Sequence, residues 1–325
     1  MRWLPALQPL SRLIHIRVPR SHLLVGLLSV LCICRLHGQT ATFKFLPALN
    51  QRCVETQRRN IRTEYSETSR RPPQAEVEIT VSEKWFQQRD ADYLQIERVK
   101  SCSGQVDGRP YSNPMSRILE MAETTNVISS QGRLLHVLGT EYYWTEAQKV
   151  FPTDMHSALQ IQLSTKAIEK VAMEAWNDAT PVLVGHTVTE GEAWTNRIGS
   201  DPRLHYKFVF PSVRPSGSNI IVTVLKFGST DPQLLSRYQL ARSTDLDSEQ
   251  VKRFLEYCPA AKALLKVCSK RIIQANTMRI LSDEEVIQTT TFEGGVIKTE
   301  TERDTTDYKY ASAVNVQSRD GGSNR

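Results

Sequence analysis

From Glu76 onward the chain alternates: Val77, Ile79 and Val81 are interleaved with Glu78 and Thr80. A period of two predicts a β-strand with one wet face. Runs at residues 93–100, 117–123, 126–129 and 134–138 predict further strands, and the Ser130-Gln131-Gly132-Arg133 step between the last two predicts antiparallel pairing. Behind Ser164, a residue suited to cap a helix, Ile168, Val171, Ala172, Ala175 and Trp176 recur at helical spacing. They predict a helix to about Asn177 with Trp176 turned inward. Three β-rich runs follow at 182–197, 203–210 and 219–227, with turns at 199–202 and 211–217. The third is apolar on both faces, as a doubly covered strand is.

The pattern then becomes helical. Asp231-Pro232 suits a helix start, with Pro at the first helical position. Asp247 or Ser248 can cap a second helix carrying Val251, Phe254 and Leu255, which Pro259 stops or kinks. Residues 260–273 are rich in helix formers, and 285–292 and 296–302 predict a hairpin turning at Gly294-Gly295. The expected fold class is therefore α+β: a curved antiparallel β-sheet packed by several helices, with a C-terminal helical section and a β-hairpin. Residues 76–312 form its single domain. Residues 39–75, polar and Arg-rich up to Pro72-Pro73, read as a linker or lone helix, and 313–325 as a disordered tail.

The first acidic residue is Glu55, whereas Arg2, Arg12, Arg17 and Arg20 precede an uncharged run from Ser21 to Cys34. A basic leader, a short apolar segment and the small or polar Gly38, Gln39 and Thr40 are the parts of a secretory signal, so residues 1–38 are expected to target the chain for export. The expected location is secreted or periplasmic, with mitochondrial targeting as the alternative. A membrane anchor is the weaker reading, because a spanning helix takes roughly 20 apolar residues. The leader also carries much of the charge. The chain has 41 Lys and Arg against 35 Asp and Glu, and without the leader the balance falls nearly to zero, so no nucleic-acid footprint is implied. One basic cluster remains, Arg52, Arg58, Arg59, Arg62, Arg70 and Arg71, and reads as a solvated helix or tether rather than a phosphate-binding arm.

Cys53, Cys102, Cys258 and Cys268 remain after the leader, an even set open to two disulfides in an oxidising compartment, or to four small buried thiols. If 259–267 is helical, Cys258 and Cys268 stand too far apart to bond to each other. No C-x-x-C pair, G-x-S-x-G elbow, phosphate-binding G-x-x-x-x-G-K-[ST] loop, H-E-x-x-H helix or G-x-G-x-x-G turn occurs. No cofactor is implied.

The best local constellation is His186, Glu190, Glu192 and Trp194, which on one continuous strand share a face. A tight turn would bring Trp194 opposite Lys207 with His205 nearby, enough for a metal site or acid–base pair. The plainer reading is a solvent-facing strand with charged cross-strand pairs. A second candidate is Tyr142-Tyr143-Trp144, aromatic groups suited to a ligand pocket. The expected role is non-enzymatic binding or carriage of an apolar small molecule or lipid, with Tyr142, Tyr143, Trp144 and Trp194 as ligand-binding residues. The alternatives are a hydrolytic or metal-assisted enzyme around His186, Glu190, Glu192 and His205, and a structural or interaction subunit.

Overall fold

The computed structural model describes residues 38–66, 72–111, 114–120, 122–177, 179–196, 204–231, 234–235, 246–256, 264–293 and 296–311. The leader up to residue 37, Arg70 and Arg71, the Pro232 helix start, Cys258, Pro259, the Gly294-Gly295 turn and the 313–325 tail lie outside them. The strands are β1 (Thr40–Thr42), β2 (Cys53–Tyr65), β3 (Gln74–Arg89), β4 (Asp92–Val106), β5 (Arg109–Tyr111), β6 (Glu123–Ile128) and β7 (Leu134–Leu138). They continue with β8 (Thr187–Thr189), β9 (Ala193–Asn196), β10 (His205–Ser216), β11 (Asn219–Ser229), β12 (Leu264–Gln274), β13 (Arg279–Glu293) and β14 (Val296–Tyr310). The helices are α1 (Pro114–Leu119), α2 (Glu141–Val150), α3 (His156–Gln162), α4 (Thr165–Asn177) and α5 (Glu249–Glu256).

One antiparallel sheet of 12 strands dominates, in the order β7-β6-β4-β3-β2-β14-β13-β12-β11-β10-β9, with β5 attached to β4; β1 and β8 form a separate pair. Two meanders thus run outward from a central seam where β2 meets β14, from Cys53 opposite Tyr310 to Tyr65 opposite Lys298. Strands make up 56% of the structure against 21% helix, so the chain is mostly β and the expected α+β class is corrected.

The errors have local causes. Of the expected C-terminal helical section, 264–273 belongs to β12, whose backbone is hydrogen-bonded to β11 on one side and β13 on the other. Pairing on both edges outweighs the helix propensity of Leu and Lys, and Val267, Ile272 and Ile273 suit a strand. Within 39–75, read as a linker or lone helix, β2 is a central strand. Arg59 is neutralised sideways, its Nε 2.8 Å from Glu302 and 3.4 Å from Asp304 on β14, and Arg52, just before β2, pairs with Glu83 on β3 at 2.9 Å. Residues 114–119 open on Pro and are helical, where a strand was expected from 117. The run 182–197 is not one strand, because the chain turns at Gly191 (φ 82°) between β8 and β9.

Other elements follow the sequence pattern. Ser164 Oγ accepts the Ala167 N–H at 3.2 Å at the start of α4, and Ser248 Oγ accepts the Val251 N–H at 3.4 Å at the start of α5. β11 is covered on both faces as expected. Val222 and Val224 belong to one apolar cluster, while Leu225 and Phe227 join Phe254, Val251 and Cys268 in a second one under α5. The first cluster takes in Leu134 and Val137 from β7 together with Phe208 and Phe210 from β10, at opposite ends of the sheet, around Phe43 and Phe45. The sheet therefore curls so that its two ends share a core.

Candidate functional site

The face of the sheet that carries Val222 and Val224 changes character as it crosses the seam. Cross-strand neighbours point to the same side, so the register extends this inner face from Val224 through Arg271 and Asp283 to Thr306, and in another row from Tyr310 through Cys53 and Lys84 to Glu97. The charges on it are matched. Lys84 Nζ lies 2.9 Å from Glu55 and 3.3 Å from Glu97. Arg271 Nε donates to Asp283 at 2.9 Å, and Lys226 meets Glu285 at 3.2 Å.

Burial sets the titration of these groups. It draws the Lys84 ammonium down, but the Glu97 and Glu55 carboxylates more than reverse this and hold it above the ordinary lysine range. Burial, reinforced by Glu55 and Asp283, pushes the Tyr308 phenol well up, and burial does the same to Tyr310 and the Cys53 thiol. Farther along, burial raises Glu302 and Asp304 against the opposing pull of Arg59.

Over this polar floor lies an apolar roof. Trp176 Nε1 donates to the Gly132 carbonyl at 2.8 Å and Asn177 Oδ1 accepts the Leu134 N–H at 3.2 Å, which fixes the end of α4 over β7. The segment after β1 runs across the same region. Lys44 N–H bonds to the Ala275 carbonyl at 2.8 Å and Asn50 N–H to the Phe86 carbonyl at 2.7 Å. Phe45 is thereby packed edge-on against Tyr93, Phe86 and Trp176, with ring centroids 5.5, 6.1 and 6.4 Å away. Gly132 has φ 76°, and a Cβ there would stand 3.1 Å from the Phe45 ring, so this approach needs glycine.

Between roof and floor is a cavity of about 390 Å³. Phe45, Phe86, Leu134, Ala172 and Trp176 form its apolar part, Met278 and Ile280 close one end, and Glu55, Lys84, Arg271, Asp283 and Tyr308 form its floor. At the Met278 end the Arg279 guanidinium stacks 3.5 Å over the Tyr310 ring. A second, more polar hollow of about 480 Å³ lies farther along the inner face, lined by Gln57, Arg59, Glu78, Thr80 and Tyr143 among others.

The residues singled out from sequence are dispersed. Tyr142, Tyr143 and Trp144 lie on α2. Tyr143 lines the second hollow, Trp144 packs edge-on to His156 at 5.7 Å, and none of the three lines the first cavity. Trp194 sits against His186, Phe210 and Phe208 at 4.7, 5.3 and 6.0 Å, as part of the core. It faces Phe208, one residue on from the expected Lys207.

Glu192 accepts the Thr189 N–H at 2.8 Å within the turn between β8 and β9, Glu190 accepts the Val213 N–H at 3.3 Å and ties that turn to β10, and His205 opposes Ser229. Among the described residues no three His, Cys, Asp or Glu side chains are placed to hold a metal ion. Cys53, Cys102 and Cys268 are free thiols, with Cys53 in the cavity wall and Cys268 in the core under α5; no disulfide is seen among the described residues. The cavity residues that sequence reasoning missed come from strands on both sides of the seam. The signal that could have found them is the period-two recurrence of Cys53, Glu55, Gln57 and Arg59 on a strand with a hidden side.

No protein-family model matches the chain, and no curated protein matches its sequence. Among solved structures it is similar to lipovitellin, in a study of lipid–protein interactions, with a TM-score of 0.43 and 8% identity over 82% of this chain and 26% of that one. It is also similar to OccK5 (OpdH) and OpdL of Pseudomonas aeruginosa, with TM-scores of 0.25 and 0.24, each 9% identical over 81% of this chain and 99% of theirs. The chain thus spans about a quarter of the lipovitellin chain. At these TM-scores the likenesses carry no functional argument. Among the described residues no helix is long and apolar enough to cross a membrane.

Proposed function

We propose that this protein binds a small amphipathic molecule, lipid-like in having an apolar body and a polar end, in the cavity between α4 and the inner face of the sheet. The observation that carries this reading is the two-sided chemistry of one space: aromatic and aliphatic side chains above, and fixed charged and phenolic groups below. Its volume of about 390 Å³ falls in the range of small-molecule sites, which combine apolar walls with a few placed polar groups. The ligand-binding residues are then Phe45, Phe86, Trp176 and Arg279 in place of Tyr142, Tyr143, Trp144 and Trp194. The acid-free leader supports an exported setting for this role, secreted or periplasmic.

The test is titration with the neutral fluorophore 1-aminoanthracene. Ala172 faces the cavity from α4, and Ala172→Phe fills it; this variant is expected to lose most of the binding while Tyr142→Ala keeps it. Should Ala172→Phe fold poorly, Ala175→Trp at the same wall replaces it. A folded cavity-filling variant that binds like the parent overturns the reading.

A further inference from the structure

Two buried polar atoms in the cavity wall have no hydrogen-bond partner, Arg279 Nε and Asp283 Oδ1, and both come from β13. Buried polar atoms are nearly always satisfied by protein, water or ligand, and the two side chains that carry this pair line one space. One is a donor and the other an acceptor. The remaining charges of the floor are committed, Lys84 to Glu55 and Glu97, and Arg271 to Asp283. Arg279 stacks on the Tyr310 ring and hydrogen-bonds to the Tyr310 phenol, and among the described residues no carboxylate pairs with it. Among the described residues the cavity thus has one uncommitted positive charge. A dianion would exceed it and face the Glu55 and Asp283 carboxylates; a monoanion matches it.

We infer that the ligand of this cavity is an amphipathic carboxylate whose anionic group docks on Arg279 and whose hydrogen-bond donor, a hydroxyl at the far end, reaches Asp283. This rests on the binding role proposed above. Four residues of strand separate the two positions, about 13 Å at roughly 3.3 Å per residue when extended, and the register shifts within that span, opposite Ile272 and Ile273. A medium-length chain with a carboxylate at one end and a hydroxyl at the other fits both, with its methylenes under Phe45 and Trp176.

The experiment compares decanoate, 10-hydroxydecanoate and 1-decanol by calorimetry on the full chain. The parent is expected to bind 10-hydroxydecanoate most tightly and 1-decanol most weakly. Arg279→Gln is expected to weaken both carboxylates by about ten- to hundredfold, the loss of a charged hydrogen bond, and to leave 1-decanol unchanged. Arg279→Lys, which keeps the charge and the fold, is expected to restore much of the binding. Equal affinity of the parent for decanoate and 1-decanol, or no effect of Arg279→Gln, overturns the carboxylate inference while leaving the cavity a binding site. Failure of all three to bind removes the binding role as well. Equal affinity for decanoate and 10-hydroxydecanoate overturns the assignment of Asp283.

Discussion

Lys84→Met tests whether the inner face is held together by its charges. The side chains of Lys84, Glu55 and Glu97 are 21%, 14% and 28% exposed, so all three are largely withdrawn from water. At an effective dielectric of about 20, contacts of 2.9 and 3.3 Å each represent roughly 5 to 6 kcal/mol of attraction. Much of that is offset by the desolvation of the three ions and by the repulsion between the two carboxylates. Methionine keeps the apolar stem but removes the cation, leaving two half-buried carboxylates facing each other across it. One-sided removal of this kind costs about 3 to 5 kcal/mol for fully buried pairs, and the residual exposure puts the expectation near 3.

The assay is urea unfolding at pH 7, with Glu55→Gln added to Lys84→Met in a second variant to relieve one carboxylate. The double variant is expected to recover part of the loss. A Lys84→Met protein within about 1 kcal/mol of the parent, with an unchanged denaturant slope, would show that the cluster behaves as an exposed pair and would refute the reasoning.

Two further outcomes follow from the same packing. The folded-state pKa values of Cys53, Cys268, Tyr308, Tyr310 and Lys84 all stand above their ordinary values, so each group contributes stability that is fully present below its ordinary pKa and is lost as pH rises. Melting temperature is therefore expected to begin falling above about pH 8.5, with the thiols, and more steeply above about pH 10; a flat profile to pH 11 contradicts the burial of these groups. Lys266, fully buried, donates to the Phe254 carbonyl at 3.3 Å and to that of Leu255, which satisfies the C-terminal end of α5. Lys266→Met is expected to cost about 2 to 3 kcal/mol and to speed hydrogen exchange in α5 above all, and uniform exchange across the chain would count against the capping role.

The hairpins and the amphipathic helix were legible in the sequence because their signals are local. Val77, Ile79 and Val81 alternate, Ser164 precedes a helical stripe ending in Trp176, and Gly132 marks a turn. The centre of the sheet was not, because what makes Arg59 acceptable in a strand is Glu302 and Asp304 on β14, far along the chain. The cavity shared that fate. Its floor is assembled across five strands, and no spacing along the chain reveals that Lys84 and Arg271 face the same space. Trp194 and its neighbours misled for the complementary reason: one turn at Gly191 ended the alternation that would have gathered His186, Glu190 and Glu192 on one face.

The seam between β2 and β14 constrains the order in which the molecule can form. Each meander closes short loops between successive strands, but Ser66 and Ile297, hydrogen-bonded at the end of the seam, are 231 positions apart. The logarithmic term for closing so long a loop is about 5 kcal/mol, so the seam is a late event that the two half-sheets must be sufficiently formed to reward. Until β14 arrives, β2 shows an unpaired edge 13 residues long, and a nascent chain carries that edge through most of its synthesis. Its arginines, which look out of place in a central strand, are what keep such an edge from pairing with another chain.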